Sequence, residues 1–246
     1  MDVWPADFGR ITVEETDSTQ AEAARRIEAG QALPFWVLAE RQVAGVGRRG
    51  RAWSMPEGNF AGSVALRPGG PLARRALRSF TMALALRDAL VELTGQPALF
   101  SLKWPNDVLC RERKLAGILL ESRGDALVIG IGVNLVAAPP QAALEEGALA
   151  PIDLATAAGI RVTPEALLDL LAAAFARREA LLVTEGFDAQ RREWLTHAAR
   201  LGQPIVARLA DRTLTGRFDG VDGEGALMLA TPEGIQRLPA ADVHFA

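Results

Sequence analysis

A stretch rich in glycine and arginine, residues 40–59, contains the side chains best suited to binding an anion. Its glycines and arginines lie close together, and no acidic residue falls between Glu40 and Glu57. The set comprises Gly45, Gly47, Gly50, Arg41, Arg48, Arg49 and Arg51. Glycine has no side chain and lets the backbone approach a ligand closely, and one guanidinium group can bind two phosphate oxygens at once. Trp53 adds a flat surface for a nucleobase, so the stretch predicts a nucleotide-binding loop. A solvated basic loop or a nucleic-acid patch is the alternative.

Two lysines interrupt apolar segments later in the chain. Lys103 opens the run K-W-P-N-D-V, in which residues 105–107 predict a tight turn. Lysine is rarely buried without a counter-charge, so Lys103 is a candidate anion ligand; an exposed lysine before a hairpin is the alternative. Lys114 opens a predicted strand with a glycine in its middle, Gly117, which indicates close approach of a ligand or of backbone.

A third stretch, residues 126–136, is almost entirely apolar and predicts a buried strand. Gly130 and Gly132 are two residues apart and therefore open the same face of a sheet, and Asn134 lies on that face too. Such a strand predicts a glycine-lined groove for a flat apolar ligand that has a polar tip.

The elements that must position these residues are predicted from periodicity and capping. Strands are expected at 10–14, 35–39 and 60–66, and helices at 19–29, 77–93, 164–182 and 187–197. Thr19 and Glu22 have the spacing of a capping box, and Ser18 is read first as a capping residue. From residue 201 short alternating runs between glycines predict four or five strands of a small β-barrel.

Composition restricts the classes of protein. The 246 residues are 49% hydrophobic and carry a net charge of −3, which is typical of a globular chain with a focused anion site. One cysteine excludes an internal disulfide and fits a reducing cytoplasm, and two histidines make a zinc site improbable. No segment has the length and hydrophobicity of a membrane span, so we expect a cytoplasmic protein.

Five motifs in this order resemble the biotin protein ligases over essentially the whole chain. They are D-S-T-Q (17–20), G-V-G-R-R-G-R-A-W (45–53), K-W-P-N-D-V (103–108), K-L-A-G-I-L-L-E (114–121) and G-I-G-V-N-L (130–135). The resemblance implies an α+β fold with a mixed-sheet catalytic domain, residues 1–198, and an SH3-like β-barrel, residues 199–246. It also implies that biotin and ATP form biotinyl-5′-AMP, which then modifies a lysine of a biotin carboxyl carrier protein or domain.

The resemblance assigns roles residue by residue. Lys103 and Arg48 are expected to be catalytic, with Lys103 between the biotin carboxylate and the α-phosphate. The expected biotin site comprises Ser18, Thr19, Gln42, Gly45, Gly47, Lys103 and Gly117. The expected nucleotide site comprises Arg48, Arg49, Arg51, Trp53, Asn106, Asp107, Lys114 and Asn134. No metal ligand is assigned to the protein, since Mg²⁺ is expected to be held mainly by the ATP phosphates.

Several questions stay open at this stage. Val46 and Gln20 stand where the family usually has arginine and asparagine, which puts the affinity for the intermediate in question. The chain begins at the catalytic domain, so DNA binding is not expected. The sequence does not decide between a monomer and a homodimer, and it names no general base for the transfer step.

Three rival functions are a lipoate ligase, a biotin-sensing protein without ligase activity, and an octanoyl-transferase-like enzyme with Cys110 as nucleophile. We also expect residues 48–51 to be mobile in the free protein, because closely spaced cations repel one another and bury little surface.

Overall fold

The structure, a computed structural model, describes residues 4–141, 144 and 148–245. Seven strands form one mixed sheet in the order β1-β2-β3-β7-β6-β5-β4. They are β1 Gly9–Thr16, β2 Phe35–Gln42, β3 Phe60–Leu66, β4 Phe100–Lys103, β5 Asp107–Cys110, β6 Arg113–Arg123 and β7 Ala126–Val133. The β1–β2 pair is parallel and the other neighbouring pairs are antiparallel. The α+β class and the mixed sheet are confirmed.

Six α-helices accompany this sheet in the described part of the chain. They are α1 Thr19–Glu28, α2 Leu72–Arg75, α3 Arg78–Thr94, α4 Leu154–Ala158, α5 Pro164–Glu185 and α6 Phe187–Thr196. None of the described helices is long and apolar enough to cross a membrane.

Both faces of the central strands are covered, as the alternation of buried side chains shows. Trp36 and Leu38 join the large apolar cluster that includes residues of α3 and α5, whereas Phe35 and Val37 join a second cluster that includes Ala23 of α1. Successive strand residues point to opposite faces. Helices α3 and α5 therefore cover one face of the sheet, and α1 covers part of the other.

The C-terminal part is a five-stranded antiparallel sheet in the order β11-β10-β9-β8-β12, consistent with an SH3-like barrel. Its strands are β8 Pro204–Arg208, β9 Thr213–Val221, β10 Leu227–Thr231, β11 Gly234–Leu238 and β12 Asp242–Phe245. The indole N–H of Trp104 donates to the Gly225 carbonyl at 3.0 Å, and Arg191 donates to the Val221 carbonyl at 3.1 Å. These bonds attach the C-terminal sheet to the rest of the chain.

Several local predictions need correction. The cap of α1 is Ser18, whose hydroxyl oxygen accepts from the Ala21 amide at 3.1 Å, and not Thr19. Glu22 instead pairs with Arg25 and Arg26 on the helix surface, so there is no capping box. No position had been predicted for strand β12. In the segment between β7 and α4, residues 142, 143 and 145–147 lie outside the described residues.

Candidate active site

A cavity of about 700 Å³ lies on the face of the large sheet that also carries α1. Fourteen of the fifteen predicted site residues line it, although they come from distant parts of the chain. They are Ser18, Thr19, Gln42, Gly45, Gly47, Arg48, Arg51, Trp53, Lys103, Asn106, Asp107, Lys114, Gly117 and Asn134. The exception is Arg49, which does not line the cavity and pairs with Asp242 of the barrel instead.

One wall of the cavity is a rigid set of polar groups at the start of α1. The Thr19 amide donates to the Gln42 side-chain oxygen at 2.9 Å, and Ser63 donates its hydroxyl to Thr19 Oγ1 at 2.8 Å. Ser18 both caps the helix and lines the cavity, so its two predicted roles coexist. Gln20, which is buried, donates to the Leu119 carbonyl at 3.3 Å.

The floor of the cavity is made of glycines because side chains lie directly on the sheet. A Cβ at Gly132 would lie 2.3 Å from Cε2 of Trp53, and a Cβ at Gly130 would lie 2.5 Å from Cδ of Gln20. Both distances are below any ordinary contact. The prediction that these two glycines open the same face is confirmed. At Gly117 the corresponding contact with Trp53 is 3.3 Å, which is tight but tolerable.

A buried carboxylate holds the two lysines at one end of the floor. Lys114 Nζ lies 2.7 Å from Asp107 Oδ1, and Lys103 Nζ lies 3.7 Å from Asp107 Oδ2. Burial lowers the pKa of Lys103, although Asp107 opposes that shift. Burial raises the pKa of Asp107, but Lys114 and Lys103 together outweigh it, so the net pKa is below the ordinary value. The site therefore holds an ionised carboxylate between two cations.

The arginine stretch folds back on itself over the cavity. Trp53 donates its amide to the Gly45 carbonyl at 2.8 Å, and Gly47 donates to the Arg51 carbonyl at 2.7 Å. Between these bonds, residues Arg48–Gly50 make one 3₁₀ turn, with Arg49 in the left-handed region at φ 58°. The stretch, predicted as a loop, therefore contains this turn and an isolated antiparallel bridge between Val46 and Ala52.

The segment that follows β7 presents a buried amide side chain to the cavity. Asn134 is buried and donates its amide to the Ile152 carbonyl at 3.2 Å. Its side-chain oxygen is also buried, and it has no hydrogen-bond partner among the residues that the structure describes. A buried acceptor without a partner is costly, so this oxygen fits a ligand that brings an N–H donor.

Sequence reasoning missed the carboxylate that the C-terminal sheet brings to the site, and it overlooked one signal. Asp242 of β12 lines the cavity and contacts all three loop arginines, but it lies on a strand that had not been located and in no recognised motif. The overlooked signal is compositional. Lys103 and Lys114 are the only lysines in the sequence, and both line this cavity.

The structure bears on the rival role of Cys110 and on metal binding by the protein. Cys110 is fully buried on β5, does not line the cavity, and has a pKa that burial raises, which disfavours a thiolate nucleophile. Within the described residues no group of three or more histidine, cysteine, aspartate or glutamate side chains is arranged to hold a metal ion. Asn106 and Asp107 are side-chain oxygen donors at the lysine end, which fits an ion that arrives already bound to phosphates.

Comparison with known proteins gives consistent matches. The profile of the Biotin/lipoate A/B protein ligase family matches residues 12–134, and that of the Biotin protein ligase C terminal domain matches residues 201–245. A biotin--[acetyl-CoA-carboxylase] ligase of Paracoccus denitrificans is 51% identical over 94% of this chain and 98% of its own length.

Solved structures agree with these matches. The biotin protein ligase of Aquifex aeolicus in complex with biotin and ATP superposes with a TM-score of 0.84 at 27% identity, covering 97% of this chain and 99% of that one. The biotin protein ligase of Leishmania major in complex with biotinyl-5-AMP superposes with a TM-score of 0.62 at 25% identity, covering 96% and 100%.

Proposed function

The chain belongs to the biotin/lipoate A/B protein ligase family, and we propose that it attaches biotin to a lysine of a carrier domain in two steps that consume ATP. The observation that carries the proposal is the convergence of both lysines and of Arg48 and Arg51 on one glycine-floored cavity. Two anionic substrates must meet in such a reaction, so neutralising and positioning their charges is the main catalytic requirement.

In the first step a carboxylate oxygen of biotin attacks the α-phosphorus of ATP, and pyrophosphate leaves with the electron pair of the broken P–O bond. Lys103 holds the carboxylate and the α-phosphate together. Arg48 and Arg51 face the phosphates, and Arg49 supports them from outside the cavity. Mg²⁺ bound to the ATP phosphates would neutralise part of their charge. Asn106, Asp107 and Lys114 are the residues of this chain that face that end of the nucleotide.

The two ends of the ligand are recognised by different chemistry. Ser18, Thr19 and Gln42 present hydroxyl and amide groups to the ureido ring of biotin, and Gly45, Gly47 and Gly117 let backbone approach the rings. At the other end Trp53 covers the adenine. The partnerless oxygen of Asn134 accepts from the adenine amino group, which supplies the donor that this buried atom lacks.

In the second step the neutral amine of a carrier lysine attacks the carbonyl carbon of biotinyl-5′-AMP. An amide bond forms, the C–O bond to AMP breaks, and the amine loses a proton. A free lysine amine has a pKa of about 10.4, so the carrier lysine must lose a proton at neutral pH before it can attack. The carrier is a biotin carboxyl carrier protein or domain of a biotin-dependent carboxylase.

Further parts of the proposal concern organisation and setting. Residues 1–198 form the catalytic domain and residues 199–246 the barrel. A substrate such as ATP and an unpaired cysteine support a cytoplasmic location. The net charge of −3 disfavours DNA binding. Formation of a homodimer is left to measurement.

The decisive experiment is pyrophosphate release by the purified protein with ATP and biotin, with lipoate and octanoate as competing substrates. We expect release to require biotin and to be little affected by the competitors. A second measurement follows the mass of an added carrier domain, which should increase by one biotinyl group on one lysine.

Three other outcomes identify the rivals. Release that prefers lipoate indicates a lipoate ligase. Binding of biotin without release indicates a sensor. Acyl transfer that is lost after alkylation of Cys110 indicates a transferase. Each of these results contradicts the proposal.

A further inference from the structure

The most unusual contact in the molecule joins the arginine loop to the barrel through one carboxylate. Asp242 Oδ1 lies 3.4 Å from Arg48 Nη1, and Asp242 Oδ2 lies 2.7 Å from Arg49 Nη1 and 3.0 Å from Arg51 Nη2. Arg48 also donates to the Ala241 carbonyl at 3.3 Å. Asp242 is only 8% exposed, whereas the side chains of Arg49 and Arg51 are 49% and 44% exposed.

Among the described residues, Asp242 is the carboxylate that contacts all three of these guanidinium groups. Arg48 is desolvated, and burial lowers its pKa while Asp242 opposes that shift. A desolvated cation of this kind needs an anion beside it, because an unpaired buried charge is costly. In the free enzyme the carboxylate of Asp242 meets part of that need.

We propose that the carboxylate of Asp242 takes the role of a nucleotide phosphate while no nucleotide is bound. It holds the arginine loop against the barrel in the free enzyme, and it competes with the incoming phosphates for the same guanidinium groups. The inference rests on the proposed function, which places the phosphates at this loop. It makes Asp242 a positioning residue that acts through the arginines and does not touch the reacting atoms.

Two opposite effects on the loop follow from this role. The carboxylate lowers the cost of ordering the loop, since the arginines are already gathered before substrate arrives. The same carboxylate weakens the binding of any other anion at those arginines, because binding must displace it or repel it. A residue that only holds the loop in position has the first effect without the second. The affinity of the loop for another anion therefore distinguishes the two roles.

The test is the affinity of the intact protein for inorganic pyrophosphate, measured by calorimetry, in the wild type and in Asp242→Asn. The variant keeps the shape and removes the charge. We expect pyrophosphate to bind about tenfold more tightly to the variant, within the usual range of coupling between two ligands. We also expect faster trypsin cleavage at residues 48–51 of the variant without ligand. Asp219→Asn, which removes a barrel carboxylate paired only with Arg217 among the described contacts, is the matched control and should change neither quantity.

Equal or weaker binding of pyrophosphate to a folded Asp242→Asn variant overturns the inference, because that result is expected of a residue that only holds the loop in position. Thermal unfolding shows whether the variant is folded. If it is not, hydrogen exchange of the wild type replaces it. Competition predicts that pyrophosphate speeds exchange in residues 241–243 while it slows exchange in the loop, whereas slower exchange in both contradicts it.

The two proposals fail separately. If the wild type releases no pyrophosphate with biotin and ATP, the proposed function fails. If it does so but Asp242→Asn gives no tighter binding, only the role of Asp242 fails.

Discussion

The cavity floor and the arginine loop both present cations to the same space, but they are held in different ways. The floor lysines lie on β4 and β6, and their counter-charge, Asp107, lies on β5 between them. The loop arginines lie in a segment with one 3₁₀ turn, and the carboxylate that contacts them, Asp242, comes from the C-terminal five-stranded sheet. The floor is therefore organised by the large sheet alone, whereas the loop also depends on a contact with the C-terminal sheet.

This difference suggests that the floor and the loop serve different steps of the reaction. Groups on strands are fixed before substrate arrives, which favours the step in which two anions must be aligned. Groups on a loop can close after binding and exclude water, which favours protection of a reactive anhydride. We therefore expect substitutions in the floor to reduce adenylate formation and substitutions in the loop to impair retention of the intermediate.

The largest expected effect comes from removing the floor cation. Lys103→Ala should reduce biotin-dependent pyrophosphate release by at least ~10²–10³-fold, because a well-placed donor in a dry site contributes that much. The fold should persist, since the substitution removes a buried charge and not apolar packing. Arg123→Ala, which removes an exposed cation of the same sheet, is the control and should keep full activity. Unchanged release by a folded Lys103→Ala protein would show that the floor is not the catalytic part.

The second prediction concerns the close contact between floor and loop. In Gly132→Ala the new methyl group would meet the indole of Trp53, so either Trp53 or the strand must move. Overpacking of this kind costs about 1–3 kcal/mol, equivalent to ~5–150-fold in ligand affinity. Calorimetric titration with biotin, alone and with a non-hydrolysable ATP analogue, measures the loss.

Gly223→Ala is the matched control for this substitution, because no atom lies within 4 Å of its added methyl group. It should bind both ligands as the wild type does. If Gly132→Ala also binds normally, Trp53 is free to leave the floor and the two regions are less coupled than the geometry indicates.

Much of the floor could be predicted from the sequence, for a physical reason. Lys103, Lys114, Gly130 and Gly132 lie in apolar strands, where a lysine or a glycine conflicts with the local pattern and is therefore visible. The mixed sheet, by contrast, was implied by the resemblance to the biotin protein ligases. Asp242 could not be predicted. An aspartate at the start of a short strand with polar residues agrees with the local sequence pattern, so nothing in that pattern marks it as a site residue. Its partners lie about 190 residues away in sequence.

The arginine loop could be predicted only in part. Its glycines and arginines predicted an irregular anion-binding segment, and the structure places Arg48 and Arg51 at the cavity. The expected mobility of residues 48–51 stays a prediction. It was argued from repulsion among the arginines, and that repulsion is reduced by a carboxylate that the local sequence does not contain.

The third prediction isolates retention of the intermediate. Arg48→Ala should increase the release of free biotinyl-5′-AMP about tenfold, since a hydrogen bond to a charged group contributes about 1.5–3 kcal/mol. Chromatography of the quenched reaction measures the free intermediate relative to pyrophosphate. Arg41→Ala is the control, because Arg41 pairs with Glu15 at the surface and does not line the cavity.

The escaped intermediate can be followed by what it modifies. The enzyme has only two lysines, and both lie in the cavity, so an added lysine-rich protein should become biotinylated while the enzyme surface does not. No increase in free intermediate would mean that the loop does not retain it.

The smallest expected effect concerns pH, and it separates the two regions by the chemistry of their cations. Burial lowers the pKa of Lys103 below its ordinary value of 10.5, with Lys114 and Arg48 adding to the shift and Asp107 and Asp242 opposing it. A protonated amine is needed to hold the biotin carboxylate. Affinity for biotin should therefore be constant near neutral pH and fall severalfold as pH rises through the lowered pKa. Guanidinium groups stay charged throughout, so affinity for pyrophosphate at the loop should fall much less. Calorimetry between about pH 7 and 10 compares the two ligands. Lys103→Arg, which keeps its charge, should remove the decline for biotin. A decline that survives in Lys103→Arg would assign the titration to another group, with Lys114 the next candidate, and would separate biotin binding from the buried end of the floor.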